Sequence, residues 1–227
     1  MAVDRLAVQL ALRTRLRTLA VCTTGSTTLE ATATGYQRGT GSFLADGFAA
    51  GMEVTPAGFA TTARGTITAV SATVLTIAGG RTVEAAASGR SLTVGLPALM
   101  GWENVRLVPV AGQPYGEEEF VLGAGRARTF PAADASMEET GFYVVRLYGP
   151  EGVDVTALRR SADAVQALFK AGTALVIATG VGLRVRSDVA PVPSPVRFLA
   201  DPAGRAASPG WAVVTVSIPW RLEYSNT

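Results

Sequence analysis

Residues 140–150 read TGFYVVRLYGP. Successive strand side chains point to opposite sides, so Phe142, Val144 and Arg146 share one face and Tyr143, Val145 and Leu147 the other. Apolar side chains on both faces predict a strand covered on both sides. Pro150 and Gly152 end it, and Asp154 or Thr156 can cap a helix. Leu158, Ala162, Val165, Leu168 and Phe169 then recur at helical spacing, with Lys170 and Gly172 marking the C-terminus. Upstream, AGQPYGEEEFVLG (111–123) reads as a turn and a charged strand, followed by a loop over 123–139. Downstream, TALVIATGVGLRVRSD (173–188) gives one or two strands, and residues 191–210 form a Pro-rich loop. WAVVTVSIPWRLEY (211–224) closes the chain as a strand, in which Pro219 cannot donate to a ladder and so marks an edge or a bulge.

At the other end, residues 2–19 lack Gly and Pro and are rich in Ala, Leu, Arg and Gln, which predicts a helix. Leu6 and Leu10 share one face and Leu12, Leu16 and Leu19 another, so this helix packs on more than one side. Arg13, Arg15 and Arg17 read as a solvated helix end that complements the dipole. Between 22 and 95 charge nearly vanishes. TTLEATATGY, GMEVTPAGF, GTITAV, ATVLTIAG and SLTVG are short alternating runs broken by Gly or Pro, the pattern of a small β-sandwich or barrel. Phe43, Phe48 and Phe59 are its expected core anchors. The expected fold is α+β: a mostly antiparallel sheet with two packing helices, built from 1–21 and 96–227, with an all-β module inserted at 22–95.

Composition narrows the function. Apolar residues make up 48% of the 227, enough for a sizeable core, while charged residues are only 17% against about 25% in typical domains. Such a short-chained surface suits repeated subunit contacts, and a GC-rich genome would produce the same bias. The net charge of +2 is not gathered into the basic stripe that nucleic-acid binding needs. The absence of histidine removes the commonest general base and the Ser-His and Cys-His pairs. Cys22, the single cysteine, cannot form an intramolecular disulfide or a zinc site. Neither a GxGxxG nor a GxxxxGK[ST] phosphate loop is present. No run of about 18 apolar residues predicts a transmembrane helix, and charges interrupt the N-terminal apolar run where a signal peptide would not carry them.

The carboxylates are the remaining candidates for chemistry. In a strand, Glu117 and Glu119 face one way and Glu118 the other. No other carboxylate has a spacing that makes it a partner, and Glu138 and Glu139 read as loop charge. No catalytic, cofactor-binding or metal-ligating residue is therefore expected, and the chain is not expected to be an enzyme.

Several motifs follow one another in a set order: the ALRTRL helix (11–16), Trp102–Glu103–Asn104, Gly112–Gln113–Pro114–Tyr115, Tyr148–Gly149–Pro150, and Ile218–Pro219–Trp220. In this order the chain resembles the tail terminator (tail-completion) proteins of long-tailed bacteriophages, the siphovirus type. The 22–95 module departs from the compact family form and looks like small β domains attached to phage virion proteins. The resemblance implies a homohexameric ring on the head-proximal end of the tail tube, assembled in the host cytoplasm. Such a ring stops tube growth, joins the head–tail connector or stopper, and lets DNA pass through its lumen without specific binding. Glu117, Glu118, Glu119, Arg126, Arg128, Glu138 and Glu139 are the candidate contacts to neighbouring subunits or the tube. A stopper ring, or a decoration or carbohydrate-binding protein acting through the β module, are the alternative readings.

Overall fold

The computed structural model of the protein describes residues 4–102, 105, 107–127, 136–151, 155–178, 181–186, 189–199 and 210–225. Helix α1 (Arg5–Leu16) begins where the Asp4 carboxylate accepts a hydrogen bond from the Leu6 amide at 2.9 Å. The chain then enters β1 (Cys22–Thr23), β2 (Thr27–Thr32) and β3 (Gly35–Arg38), a one-turn helix α2 (Phe43–Asp46), and β4 (Met52–Ala57), β5 (Gly65–Val70), β6 (Val74–Ile77) and β7 (Glu84–Pro97). These strands run in the order β7-β2-β3-β6-β5-β4, and β4 pairs back onto β7. The result is a closed six-stranded barrel, with β1 attached outside it to β7.

The barrel is filled as its sequence demands. Leu29, Tyr36, Phe43, Phe48, Val54, Phe59, Ile67, Leu75 and Leu92 are buried in one core. Two arginines are buried with it, and both are fully engaged. Arg38 pairs with Asp46 at 2.5 Å and lies over the Phe43 ring. Arg90 pairs with Glu84 at 2.8 Å, donates to the Leu29 and Ala85 carbonyls, and lies over Phe59. A buried cation is tolerated only with this many partners. Gly47 ends α2 with φ 94, a left-handed conformation that favours glycine, and the Arg160 guanidinium occupies the space a Cβ would take.

The rest of the chain supplies β8 (Leu99–Gly101), β9 (Tyr115–Ala127), β10 (Ser136–Pro150), α3 (Thr156–Leu168), β11 (Ala174–Ala178), β12 (Val181–Val185), β13 (Val192–Pro193), β14 (Arg197–Leu199) and β15 (Trp211–Ser225). They form a curved sheet in the order β11-β12-β15-β10-β9-β8, with β13 and β14 also pairing β15. Among the described strand pairs, only the short β8–β9 contact is parallel. Strands β10 and β15 pair from Ser136↔Ser225 to Pro150↔Trp211. The inner face carries Tyr143, Val145, Leu147, Val214, Val216, Ile218 and Trp220, all buried. Helices α1 and α3 lie in this hollow through Val8, Leu12, Leu16, Leu158, Ala162, Val165 and Phe169. Each of these Val, Leu and Phe side chains gains roughly 1.5–3 kcal/mol from leaving water. Gly141 permits a close approach: a Cβ would stand 2.3 Å from the Val121 carbonyl oxygen and 2.4 Å from the Trp220 ring, which itself stacks on Phe120.

Three expectations are corrected. The chain is not an α+β sandwich of a mostly antiparallel sheet with two packing helices. It is mainly β, a closed barrel plus a half-barrel, and its helices plug the open side rather than form a layer. Glu138 and Glu139 lie in strand β10, not in a loop. Pro219 stands in an interior strand, opposite Phe142. It is tolerated because, among the described strand pairs, none on the β12–β13 side is in register with Pro219, whose carbonyl still accepts from the Arg186 amide at 2.9 Å.

Candidate functional site

Strand β9 presents its three glutamates to opposite sides of the sheet. Glu118 points into the hollow, where it is buried. Its Oε1 accepts from Arg13 Nε at 2.8 Å and also from Nη2, and its Oε2 accepts from the Tyr143 hydroxyl at 2.5 Å. Arg13 and Arg17 both lie over the Trp102 ring, 5.1 and 4.8 Å from its centroid. The reading of Arg13 as part of a solvated helix end is corrected: it clamps α1 to the sheet. Burial pushes the Tyr143 phenol well above its ordinary pKa, and the Glu118 charge and hydrogen bond push it further. This is a closed ionic clamp rather than an acid–base pair.

On the outer face, Glu117 accepts from the Tyr148 hydroxyl at 3.0 Å. Tyr148 stacks on Tyr115 with centroids 4.2 Å apart, and Trp211 meets Tyr115 edge-on. Burial, then Glu117, raises the Tyr148 phenol as well. Glu119 pairs with Arg146, both partly exposed. Glu138 is buried, and Glu139 accepts from Tyr224 at 3.1 Å with Arg5 3.8 Å away. Arg126 is in register with Glu138 on β9, while Arg128 lies outside the described residues. The structure therefore brings Glu117 and Glu119 together on one face and separates them from Glu118 and Glu139.

The chief clamp was invisible as a motif because its parts lie 105 residues apart. One signal was present: Glu118 falls on the apolar side of its strand, and a buried carboxylate requires a cation.

An apolar cleft of about 290 Å³ lies between barrel and half-barrel, lined among others by Met52, Pro97, Leu147, Tyr148 and Ser161. Its hydroxyls are spoken for: Ser161 donates to the Ala157 carbonyl and Tyr148 to Glu117. Burial raises the Cys22 thiol to about 11, partly offset by Arg160, which keeps it a poor nucleophile. Among the described residues no cluster of potential ligands could hold a metal ion, and no helix is long and apolar enough to cross a membrane.

The exposed apolar groups tell more. Leu6 and Leu10 on α1 are 64% and 52% exposed, Val176 on β11 is 91% exposed, and Val105, Val108 and Val110 are exposed beside β8. These apolar groups lie on α1, on the terminal strand β11 and just after the terminal strand β8. The family model described as phage tail terminator protein matches residues 82–220, and the chain belongs to that family. The match begins beside β7 and ends within β15, so α1 and β1–β6 lie outside it. No curated protein matches the chain. One solved structure aligns with 57% of this chain and 81% of its own, at 18% identity and a TM-score of 0.41. Membership makes the protein a structural component of a phage tail that associates with other tail and head proteins.

Proposed function

We propose that the protein is the tail terminator itself: a homohexameric ring on the head-proximal end of the tail tube. The ring ends tube polymerisation and offers the joining surface to the head–tail connector, with DNA passing through its lumen. The observation that carries this reading is the family match, which spans most of the half-barrel. The half-barrel adds support, because an open sheet with two unlike ends suits a head-to-tail contact that closes into a ring. Glu117, Glu119 and Glu139 are the more accessible of the acidic candidates for subunit or tube contacts, whereas Glu118 and Glu138 are buried within the chain.

We further propose that residues 22–95 are a guest in a host made of 1–21 and 96–227. In support, α1 shares its buried cluster with the half-barrel, while the barrel keeps a cluster of its own. Deleting the gene in a tail-assembly background tests the terminator role. Overlong tubes are expected; tails of normal length overturn it. Locating the protein at the tube end, rather than against the portal, distinguishes it from a stopper.

A further inference from the structure

We propose that adjacent copies join by seating the exposed segment 107–110 of one copy in the groove between α1 and β11 of the next. This rests on the ring reading and assigns its interface. The two surfaces lie at opposite ends of one sheet, since β11 and β8 terminate the strand order. At the first end, among the described residues, β11 pairs only β12, which leaves its outer edge as the end of the strand order. Beside that edge runs a groove of about 450 Å³, with Ala7, Leu10 and Ala11 on the helix side and Leu175 and Ile177 on the strand side. It has the form of a site that accepts one added strand.

At the second end, the chain leaves β8 and runs without regular structure over 107–110. Val108 and Val110 are 70% and 48% exposed. In an extended segment these two would direct both side chains and backbone groups the same way, with Pro109 turned opposite. Pro109 has no N–H, so it suits the outward position of an added edge strand. The chemistry of the two ends is complementary and unlike. Exposed Lys170 and Arg184 flank β11, with Arg184 opposite Ala174. Glu117 stands beside the second end, opposite Gly101 in β8, with Glu119 two residues along. Unlike ends pair head to tail, so the occupant is a second copy in a heterologous contact.

The test uses two full-length variants, Val176→Asp on the groove and Val108→Asp on the segment, with wild type. Light scattering after size exclusion, alone and with tail tubes, reads the oligomer. Wild type is expected to form rings, and each variant to remain monomeric. Each variant keeps one intact surface, so mixing them is expected to give a 1:1 complex that grows no further; this also shows that both are folded. Rings that persist in both variants, or a mixture that stays monomeric, overturn the contact while leaving the ring. Wild type that stays monomeric even with tubes overturns the ring reading, and this contact with it.

Discussion

The barrel and the half-barrel are built from the same kind of short-chained, glycine-punctuated strand, but they solve the edge problem differently. In the barrel, β4 pairs back onto β7 and the six strands leave no open end between them. In the half-barrel, β8 and β11 stay apart, and two helices fill the space that further strands would occupy. Closure makes a unit sufficient to itself. An open sheet must be completed by something, here α1, α3 and, on our proposal, a neighbour. The barrel also satisfies its buried arginines within a few residues, Arg38 with Asp46 and Arg90 with Glu84. The half-barrel satisfies Glu118 from the far end of the chain.

The comparison can be broken at its two cores. Phe43→Ala in the barrel and Trp220→Ala in the half-barrel should each cost about 3–5 kcal/mol, since both rings are wholly buried. Hydrogen exchange is the deciding measurement: Phe43→Ala should loosen β2–β7 and leave β10 and β15 protected. Loss of protection throughout would make barrel and half-barrel one cooperative unit. A smaller effect sharpens the dependence on α1. Arg13→Ala should cost about 2–3 kcal/mol by denaturant titration, because it strands the buried Glu118 carboxylate; the partial exposure of Arg13 keeps it below a fully buried pair. Adding Glu118→Gln should recover much of the loss, and no recovery would mean that packing on Trp102 dominates.

The smallest effect concerns Cys22, where β1 meets β7. Its folded pKa is raised from 9.0 to about 11, so the associated stability is present below pH 9.0 and is lost as pH rises through 11. At pH 9 the folded thiolate fraction should be ~50-fold below that of the unfolded chain, slowing iodoacetamide modification in proportion. Equal rates would show that the β1–β7 junction opens freely.

Much of this was legible in the sequence. The alternating runs between 22 and 95 gave strands, and Phe43, Phe48 and Phe59 proved to be buried. The opposite facing of Glu118 and its neighbours followed from strand periodicity alone. Barrel closure was not legible, because alternation reports which face a residue takes and not how far a sheet curls. The long strands β9, β10 and β15 read as a sheet for helices to cover; their curvature depends on features such as the irregularity between Glu139 and Gly141. The Arg13–Glu118–Tyr143 clamp was hidden because no local pattern couples residue 13 to 118. Family membership was legible because four of the five quoted motifs, from Trp102–Glu103–Asn104 to Ile218–Pro219–Trp220, fall within the matched residues 82–220.

The chain reaches the barrel through β1 and leaves through the end of β7, and these segments pair directly: Cys22 lies opposite Val94 and Thr23 opposite Thr93. Neighbouring strands are roughly 4.8 Å apart. Arrival and departure are therefore separated by no more than a hairpin turn. In connectivity terms, everything between those points is a loop whose ends already touch.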